Sequence, residues 1–178
     1  MTQELTIKHC DKRKEIILKA ALKCFLQFGY SKTSMEDVAK EANLSRPLIY
    51  LKFKNKEELY VEVIEYLTEG RIEKAKHALK VHESKKQKLI EFYEILLLKP
   101  WEQLMERPMS ADLYWAYKTL FQELAQKHKL LALQCIENIF ESKEIALLFV
   151  LAVEGLKSDL PDTQTLKKRL DMLIERFV

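Results

Sequence analysis

Glycine and proline are scarce in this sequence. Only three Gly and four Pro occur among 178 residues. A β-sandwich or β-barrel needs a turn about every 8–12 residues, and turns are built largely from these two residue types. The count therefore predicts an all-α fold. Three isolated glycines also cannot form the GxGxxG or GxxxxGK[ST] loops that hold phosphates, so nucleotide-binding folds of those kinds are excluded.

The length and the cysteine pattern indicate a protein that needs no disulfide or metal for stability. A chain of 178 residues can bury roughly 70% of its unfolded surface in one or two domains. Cys10, Cys24 and Cys135 are far apart and form no CxxC pair, which is typical of free thiols in the cytoplasm. The longest apolar run, 145–153, is well short of the about 18 residues that span a membrane. We expect a soluble, cytoplasmic protein without metal, cofactor or membrane contact.

Charge is divided unevenly along the chain. Residues 1–56 contain 12 Lys and Arg against 6 Asp and Glu, a net charge of +6. Residues 57–178 contain 18 basic and 21 acidic residues, a net charge of −3. A basic module on a mildly acidic body is typical of a protein that meets a polyanion with one end, although a merely solvated basic face would give the same count. We therefore divide the chain into a head, 1–56, and a body, 57–178.

Helical periodicity and capping residues predict a helix-turn-helix within the head. Apolar residues recur at helical spacing over 13–28, and Gly29 follows where a helix end favours a left-handed residue. Thr33 and Ser34 precede a short second helix, and each has an acidic residue three positions later. Ser45 can cap a third helix whose second residue is proline. Two short helices behind a longer one describe a helix-turn-helix whose later helix can enter the major groove of DNA.

The same residues resemble the DNA-binding domain of the TetR family of transcriptional regulators. The resemblance covers 33–59 and the upstream FLQFGY. The shared elements are Gly29-Tyr30, Thr33-Ser34, Val38-Ala39, Ser45, Tyr50, Phe53, Lys56 and Glu57-Glu58-Leu59. Two positions depart from the family pattern, because Pro47 replaces a frequent Gly and Lys52 replaces a usual aromatic residue or His. These departures bear on base preference and leave phosphate affinity undiminished.

DNA-contacting residues are predicted from the position and chemistry of each side chain. Arg46, at the start of the recognition helix, can pair with guanine O6 and N7 and is the first candidate for sequence readout. Leu48 can contact a thymine methyl or dock the helix on the core. Resemblance and donor chemistry assign phosphate contacts to Tyr50, Lys52, Lys56, Thr33 and Ser34. A solvated surface is the alternative for Lys52 and Lys56. The predicted set is Thr33, Ser34, Ser45, Arg46, Pro47, Leu48, Tyr50, Lys52 and Lys56.

Further helices are predicted throughout the body. They cover about 57–81, 85–98, 100–107, 110–139, 143–158 and 163–177, and the pattern allows a break of the fourth of these near Lys127. Ser110, Asp112 and His128 have the residue types of a catalytic triad but lack the strand-turn-helix context of a nucleophile. We therefore predict that the protein is not an enzyme.

Aromatic residues are concentrated in the middle of the body. Seven of the 17, including both Trp, lie between residues 92 and 121. Aromatic helical walls suit an apolar ligand cavity, although aromatic residues at this spacing also pack into an ordinary core. The TetR resemblance implies an inducer pocket here and favours a cavity for a small apolar or aromatic effector. The predicted lining residues are Trp101, Met105, Tyr114, Tyr117 and Phe121.

The last two predicted helices carry extended apolar surfaces. Residues 144–156 are apolar nearly all round, and 163–177 has a second apolar stripe. The resemblance implies that both helices pair with their copies in a homodimer, and burial within one chain is the alternative. The predicted interface residues are Ile145, Leu148, Phe149, Ala152, Leu156, Leu170 and Ile174. A dimer holds two recognition helices about 34–36 Å apart, as a palindromic site requires.

The sequence thus predicts a homodimeric repressor that leaves a double-stranded DNA operator when a small ligand binds. Such a protein is nucleoid-associated while it is bound to DNA. We expect the ligand to displace the fourth helix, which begins beside the recognition helix, with Gly70 as a candidate flex point. The alternative is a TetR-like DNA-binding protein whose body binds a protein partner.

Overall fold

The computed structural model describes residues 12–140 and 142–178. Within these ranges the protein is built from α-helices without a β-strand, which confirms the all-α prediction. The helices are α1 (Lys12–Lys32), α2 (Met35–Ala42), α3 (Arg46–Lys52), α4 (Lys56–Val81), α5 (Lys85–Tyr93), α6 (Lys99–Met105), α7 (Ser110–Trp115), α8 (Gln122–Ile136), α9 (Lys143–Gly155) and α10 (Thr163–Phe177). The first 11 residues of the predicted head, including Cys10, lie outside the described residues.

Short segments of other helical types extend three of these helices. A π-helical segment, Glu94–Leu98, joins α5 to α6, and a second one, Ala116–Leu120, follows α7. A 3-10 turn, Glu137–Ile139, follows α8. In the described part of the chain, no helix is both long and apolar enough to cross a lipid bilayer.

Two clusters of buried apolar side chains form the core. The head cluster is centred on Phe25, Ile49, Phe53, Leu59 and Tyr60, and the body cluster on Phe92, Trp101, Phe149, Leu166 and Ile174. The head cluster also takes in Leu113 of α7 and Ala116 of the following π-helical segment. Helix α4 contributes Leu59 to the head cluster and Ala75 to the body cluster. The predicted boundary at residue 56 therefore coincides with the start of α4, but packing continues across it.

Local signals end α2 and turn the chain into α3, as a helix-turn-helix requires. Ser34 begins α2 with a capping box, because its hydroxyl accepts from the Asp37 N–H and the Asp37 carboxylate accepts from the Ser34 N–H. Asn43 ends α2 in the left-handed conformation, with φ of 53°. Such a residue turns the chain sharply and satisfies the last carbonyls of the helix.

The predicted side-chain cap at Ser45 does not form. Ser45 occupies the cap position of α3 in an extended conformation, but its hydroxyl makes no capping hydrogen bond. A cap side chain bonds the N–H of the second or third helical residue, and Pro47 at the second position has none. The N–H of Leu48, at the third, donates to the Ser45 carbonyl at 3.0 Å. The Ser45 hydroxyl is therefore left at the exposed surface.

Gly29 bends α1 near its end. Its φ of 81° and ψ of 170° are not helical, and the positive φ agrees with the prediction for this glycine. The Thr33 hydroxyl donates to the Gly29 carbonyl at 2.6 Å and closes the bend. A Cβ on Gly29 would lie only 2.6 Å from Asp112 Oδ2, so α7 approaches the backbone here more closely than any side chain would allow.

The predicted break near Lys127 is wrong. Helix α8 passes through Lys127 without interruption, and the break lies at Phe121, with φ of −115° and ψ of 48°. The Phe121 ring stacks on Tyr60 at a centroid distance of 4.6 Å and meets Tyr30 edge-on at 5.3 Å. The chain thus leaves the helical path where an aromatic side chain packs against the head.

Candidate DNA-contacting surface and effector cavity

Helix α3 is fixed on one face and exposed on the others. Ile49 and Phe53 are 0% and 2% exposed within the head cluster. The exposed residues are Arg46, Pro47, Leu48, Tyr50, Leu51 and Lys52. Sequence reasoning missed Leu51, which at 76% is the most exposed large apolar side chain in the described ranges. Its position halfway between Ile49 and Phe53 places it opposite the buried face, and this spacing was the available signal.

Arg46 and Tyr50 form one exposed unit, one helical turn apart. The Arg46 guanidinium carbon lies 5.4 Å from the centre of the Tyr50 ring, and Nη2 donates to the Tyr50 hydroxyl at 3.5 Å. A guanidinium held over an aromatic face keeps its outer N–H groups free of that contact. The contact ties Arg46 to the next turn of α3, on its exposed side.

Thr33 and Ser34 do not offer the groups that the sequence suggested. Thr33 is 2% exposed and its hydroxyl is bonded to Gly29, so the predicted phosphate contact through this side chain is corrected to a structural role. Ser34 is exposed, but its hydroxyl also donates to Asp37 at 2.6 Å. The capping bonds of Ser34 orient α2, and a phosphate would compete with them.

Lys56 also has structural partners. Its ammonium donates to the carbonyls of Tyr30 at 2.9 Å and Ser31 at 3.3 Å, and it lies 4.5 Å from the centre of the Tyr30 ring. The Tyr30 hydroxyl donates to Glu57 at 3.0 Å, and burial is the main cause that raises the pKa of Tyr30. The start of α4 is therefore fastened to the end of α1, beside the helix-turn-helix.

Helix α7 of the body packs directly against the head. Asp112 accepts from the Ser31 hydroxyl at 2.8 Å and from the Ser31 N–H at 3.2 Å. The Tyr60 hydroxyl donates to the Leu113 carbonyl at 3.1 Å. These contacts, together with Phe121, join α7 and the segment after it to α1 and α4.

A cavity of about 510 Å³ lies between the head and the body helices. Of the five predicted lining residues, Trp101, Tyr114 and Tyr117 line it. Met105 packs against the body cluster and Phe121 against the head cluster, and neither lines the cavity, so these two assignments are corrected. Tyr93, from the same aromatic region, also lines it, and further lining residues come from elements distant in sequence: Leu22, Phe25, Tyr60, Arg71 and Val150. Nothing local in the sequence marks them, because only the tertiary fold brings α1 and α9 to one space.

Several polar groups of the cavity wall are already paired. Glu154 bonds Lys157 at 2.6 Å and Lys118 at 3.2 Å, and although burial opposes ionisation, the two lysines hold the pKa of Glu154 below its ordinary value. Tyr117 and His128 share a hydrogen bond of 3.0 Å. Trp101 Nε1 donates to the Pro161 carbonyl at 2.9 Å.

The predicted dimer residues separate into two groups. Phe149, Leu170 and Ile174 are 0–1% exposed within the body cluster, so their assignment to an interface is corrected to the core of one chain. Ile145 and Leu148 are exposed, and Ala152 and Leu156 are partly exposed. The sequence showed a helix apolar all round and could not tell which face the chain itself would cover. Sequence reasoning missed three exposed neighbours: Leu147, Leu151 and Met172.

The structure gives no support to a catalytic triad of Ser110, Asp112 and His128. Asp112 is bonded to Ser31, and His128 to Tyr117. Ser110 forms no hydrogen bond with either in the described part of the chain, where its N–H donates to the Arg107 carbonyl. The three residues therefore serve separate local contacts.

The fold and the exposed α3 define a helix-turn-helix protein with a helical, cavity-bearing body. The sequence profile of bacterial regulatory proteins of the tetR family matches residues 17–63. The chain thus carries the amino-terminal domain of the tetR family, as its resemblance implied.

Curated relatives match part of the chain. The HTH-type transcriptional regulator YhgD of Bacillus subtilis is 49% identical over 67 residues, which cover 38% of this chain and 35% of that protein. The HTH-type transcriptional regulator AcrR of Shigella flexneri is 39% identical over 67 residues, which cover 38% of this chain and 31% of that protein. The chain spans about a third of the length of these curated relatives.

Solved structures match almost the whole chain. A TetR-like transcriptional regulator from Rhodococcus sp. RHA1 has a TM-score of 0.68 at 22% identity, covering 92% of this chain and 94% of that one. SmeT, the repressor of the SmeDEF multidrug efflux pump of Stenotrophomonas maltophilia, has a TM-score of 0.66 at 19% identity, covering 92% and 89%. At these identities the likeness shows a shared fold.

Proposed function

We propose that the protein is a homodimeric transcriptional regulator that represses from a palindromic operator and is released by a small-molecule effector. One observation carries this proposal: a single helix, α7, lines the cavity with Leu113 and Tyr114 and bonds the head through Asp112. A ligand that moves this wall also moves a contact of the helix-turn-helix. A regulator of this kind acts in the cytoplasm, at the nucleoid.

The exposed surface of α3 supports sequence-specific DNA binding. Arg46 supplies a bidentate donor for guanine, and Leu48 and Leu51 supply apolar surface for thymine methyl groups. Lys52 and Tyr50 offer donors to phosphates, which position the protein without specifying sequence. Ile49 and Phe53 anchor these side chains to the head cluster.

The outer face of α9 supports a homodimer. Ile145, Leu148 and Leu151 are 42%, 59% and 45% exposed on this helix. Large apolar side chains grouped on one surface mark an interaction site more often than a solvated one. A second copy covers this surface symmetrically and supplies the second recognition helix that a palindrome needs.

The cavity favours a small ligand, rather than a protein partner, as the molecule that the body binds. Its volume of about 510 Å³ lies within the about 300–1,000 Å³ of ordinary ligand pockets. Phe25 of α1 and Tyr60 of α4 line it together with α7, so a ligand contacts head and body at once. The proposed release therefore acts through α1 and α7 as well as through the α4 displacement that the sequence suggested.

Selection from random DNA duplexes tests the proposal. We expect an inverted repeat whose half-sites are about one helical turn, or a multiple of it, apart. An effector that releases this operator must bind more weakly when operator is present, by the same factor by which it weakens DNA binding. Enrichment of no sequence would contradict operator recognition, and equal ligand affinity with and without operator would contradict release.

A further inference from the structure

Arg71 is a half-buried cation of the cavity wall without an acidic partner. It lies on α4, and its single hydrogen bond joins Nη2 to Gln103 Oε1 of α6 at 3.5 Å. No carboxylate in the described ranges forms an ion pair with it. Burial lowers the pKa of Arg71, because a charge taken out of water without compensation is unfavourable. Within the described ranges, the chain therefore supplies no anion that compensates the charge of this guanidinium.

Tyr93 lines the same cavity and has a buried hydroxyl. The residue is 4% exposed, and its hydroxyl has no hydrogen-bond partner in the described part of the chain. Burial raises the pKa of Tyr93, so the hydroxyl keeps its proton and can donate it in a hydrogen bond. Buried polar groups are almost always paired, but this hydroxyl is enclosed by protein atoms, so Arg71, and not the Tyr93 hydroxyl, is the polar group that a ligand of the cavity meets.

The charges of the cavity wall are unbalanced. Its cations are Arg71, Arg107, Lys129 and Lys157, whereas its one carboxylate among the lining residues is Glu154. Glu154 is already bonded to Lys157 and to Lys118. Apart from Thr68, Gln103 and His128, the remaining lining residues are apolar or aromatic, so the cavity combines a mainly apolar space with an excess of positive charge.

We propose that the cavity binds an amphipathic anion, with an apolar body and one carboxylate or similar group held by Arg71. The guanidinium matches a carboxylate in a bidentate pair. The inference rests on the proposed function in one respect, that this ligand is the effector. It replaces the purely apolar or aromatic effector expected from the sequence.

Three probes with one ten-carbon chain test this inference: decanoate, decanol and decylammonium. Calorimetric titration of the full chain, below micellar concentrations, measures the affinity for each. We expect decanoate to bind at least about tenfold more tightly than decanol, and decylammonium to bind least tightly. Equal affinity for the three probes, or binding of none, overturns the inference.

Substitution of Arg71 tests whether this residue makes the selection. Arg71→Gln should lower the affinity for decanoate to that for decanol, and Arg71→Lys should keep part of the preference. Lys74→Gln is the matched control, because Lys74 is exposed on the same helix and does not line the cavity. An unchanged preference in Arg71→Gln, or the same loss in Lys74→Gln, overturns the assignment. Should Arg71→Gln fail to fold, the preference of the unsubstituted protein and of Arg71→Lys still decides.

Operator binding on the same preparations separates this inference from the proposed function. If decanoate binds selectively but leaves operator affinity unchanged, the anion site stands and effector release fails. If decanol and decanoate bind equally and both weaken operator binding, release stands and the anion site is overturned.

Discussion

Asp112 and Ser31 join the cavity wall to the helix-turn-helix. The Asp112 carboxylate receives the Ser31 hydroxyl at 2.8 Å and the Ser31 N–H at 3.2 Å. Ser31 precedes the α2 cap, Ser34, by three residues, and Leu113 beside Asp112 lines the cavity. This path from cavity to head passes through α7 and does not require α4.

The Asp112–Ser31 contact predicts a measurable local loosening when it is removed. Asp112→Ala should lower the free energy of unfolding by about 1 kcal/mol, because a charged acceptor is lost at a partly exposed site. Hydrogen exchange of the Ser31 amide should accelerate more than that of amides within α10. Asp171→Ala, on α10, is the control and should leave Ser31 unchanged. Equal protection of Ser31 in both variants would show that the contact does not hold the head.

We expect Arg46 to discriminate between bases and Lys52 to contribute to the affinity for DNA alone. Arg46→Ala should cost about 1–3 kcal/mol and relax the preference at one base position, because it removes a bidentate donor. Lys52→Ala should weaken all sequences alike and lower the slope of affinity against salt by about one unit. Selection from random duplexes with each variant measures both effects. An unchanged preferred site for Arg46→Ala would remove Arg46 from sequence readout.

Local signals were enough to predict much of the fold. Ser34 and Asp37 form the predicted capping box, and Gly29 has the predicted positive φ. Helix α10 has the predicted bounds, and α4 begins one residue earlier than predicted. Each of these features depends on residues within one helical turn, so it can be read without knowledge of the rest of the chain.

Tertiary features could not be predicted in the same way. The apolar sequence of α9 gave no reason to separate Phe149, which the body cluster buries, from Leu148, which is 59% exposed. Phe121 belongs to the aromatic region but packs on Tyr60, which is distant in sequence. Arg71 became informative only when the cavity beside it was known. Burial and pairing depend on which helices meet, and periodicity in one helix does not contain that information.

Substitution of Leu148 tests the proposed homodimer. Leu148→Glu should weaken the homodimer by at least about 2 kcal/mol, or about 30-fold in Kd, because it introduces an unpaired charge into an apolar contact. Val81→Glu is the control, since Val81 is 60% exposed at the end of α4 and should leave the dimer intact. Sedimentation equilibrium measures both. A dimer of unchanged affinity in Leu148→Glu would place the interface elsewhere.

We expect alanine at Gly29 and alanine at Gly70 to have opposite effects on the free energy of unfolding. Gly29→Ala should lower the free energy of unfolding by about 1–3 kcal/mol, because φ is 81° and the new Cβ would meet Asp112. Gly70→Ala should raise it by about 0.5–1 kcal/mol, since Gly70 lies at an exposed position within α4 and a Cβ there meets nothing within 4 Å. Urea unfolding checks both signs. We also expect Gly70→Ala to change effector release more than operator affinity, and equal changes would remove Gly70 as a flex point.

His128 predicts how stability depends on pH. Burial lowers the pKa of His128 and is the largest effect. The attraction of Glu65 raises this pKa, and the repulsion of Lys127 lowers it. His128 Nε2 lies 3.6 Å from Glu65 Oε2, too far for a hydrogen bond, while Nδ1 is bonded to the Tyr117 hydroxyl. The folded state therefore binds fewer protons than the unfolded state below the unfolded pKa of about 6.5.

The free energy of unfolding should accordingly fall as pH decreases from about 6.5 towards the lower pKa of folded His128. His128→Gln, which keeps a hydrogen-bonding side chain beside Tyr117, should flatten this dependence between about pH 7 and pH 5. His77→Gln is the matched control, because His77 is exposed on α4 and should keep the slope of the unsubstituted protein. Urea unfolding at intervals across this range measures the slopes. Identical slopes in the two variants would show that His128 is not the group whose burial makes the fold sensitive to acid.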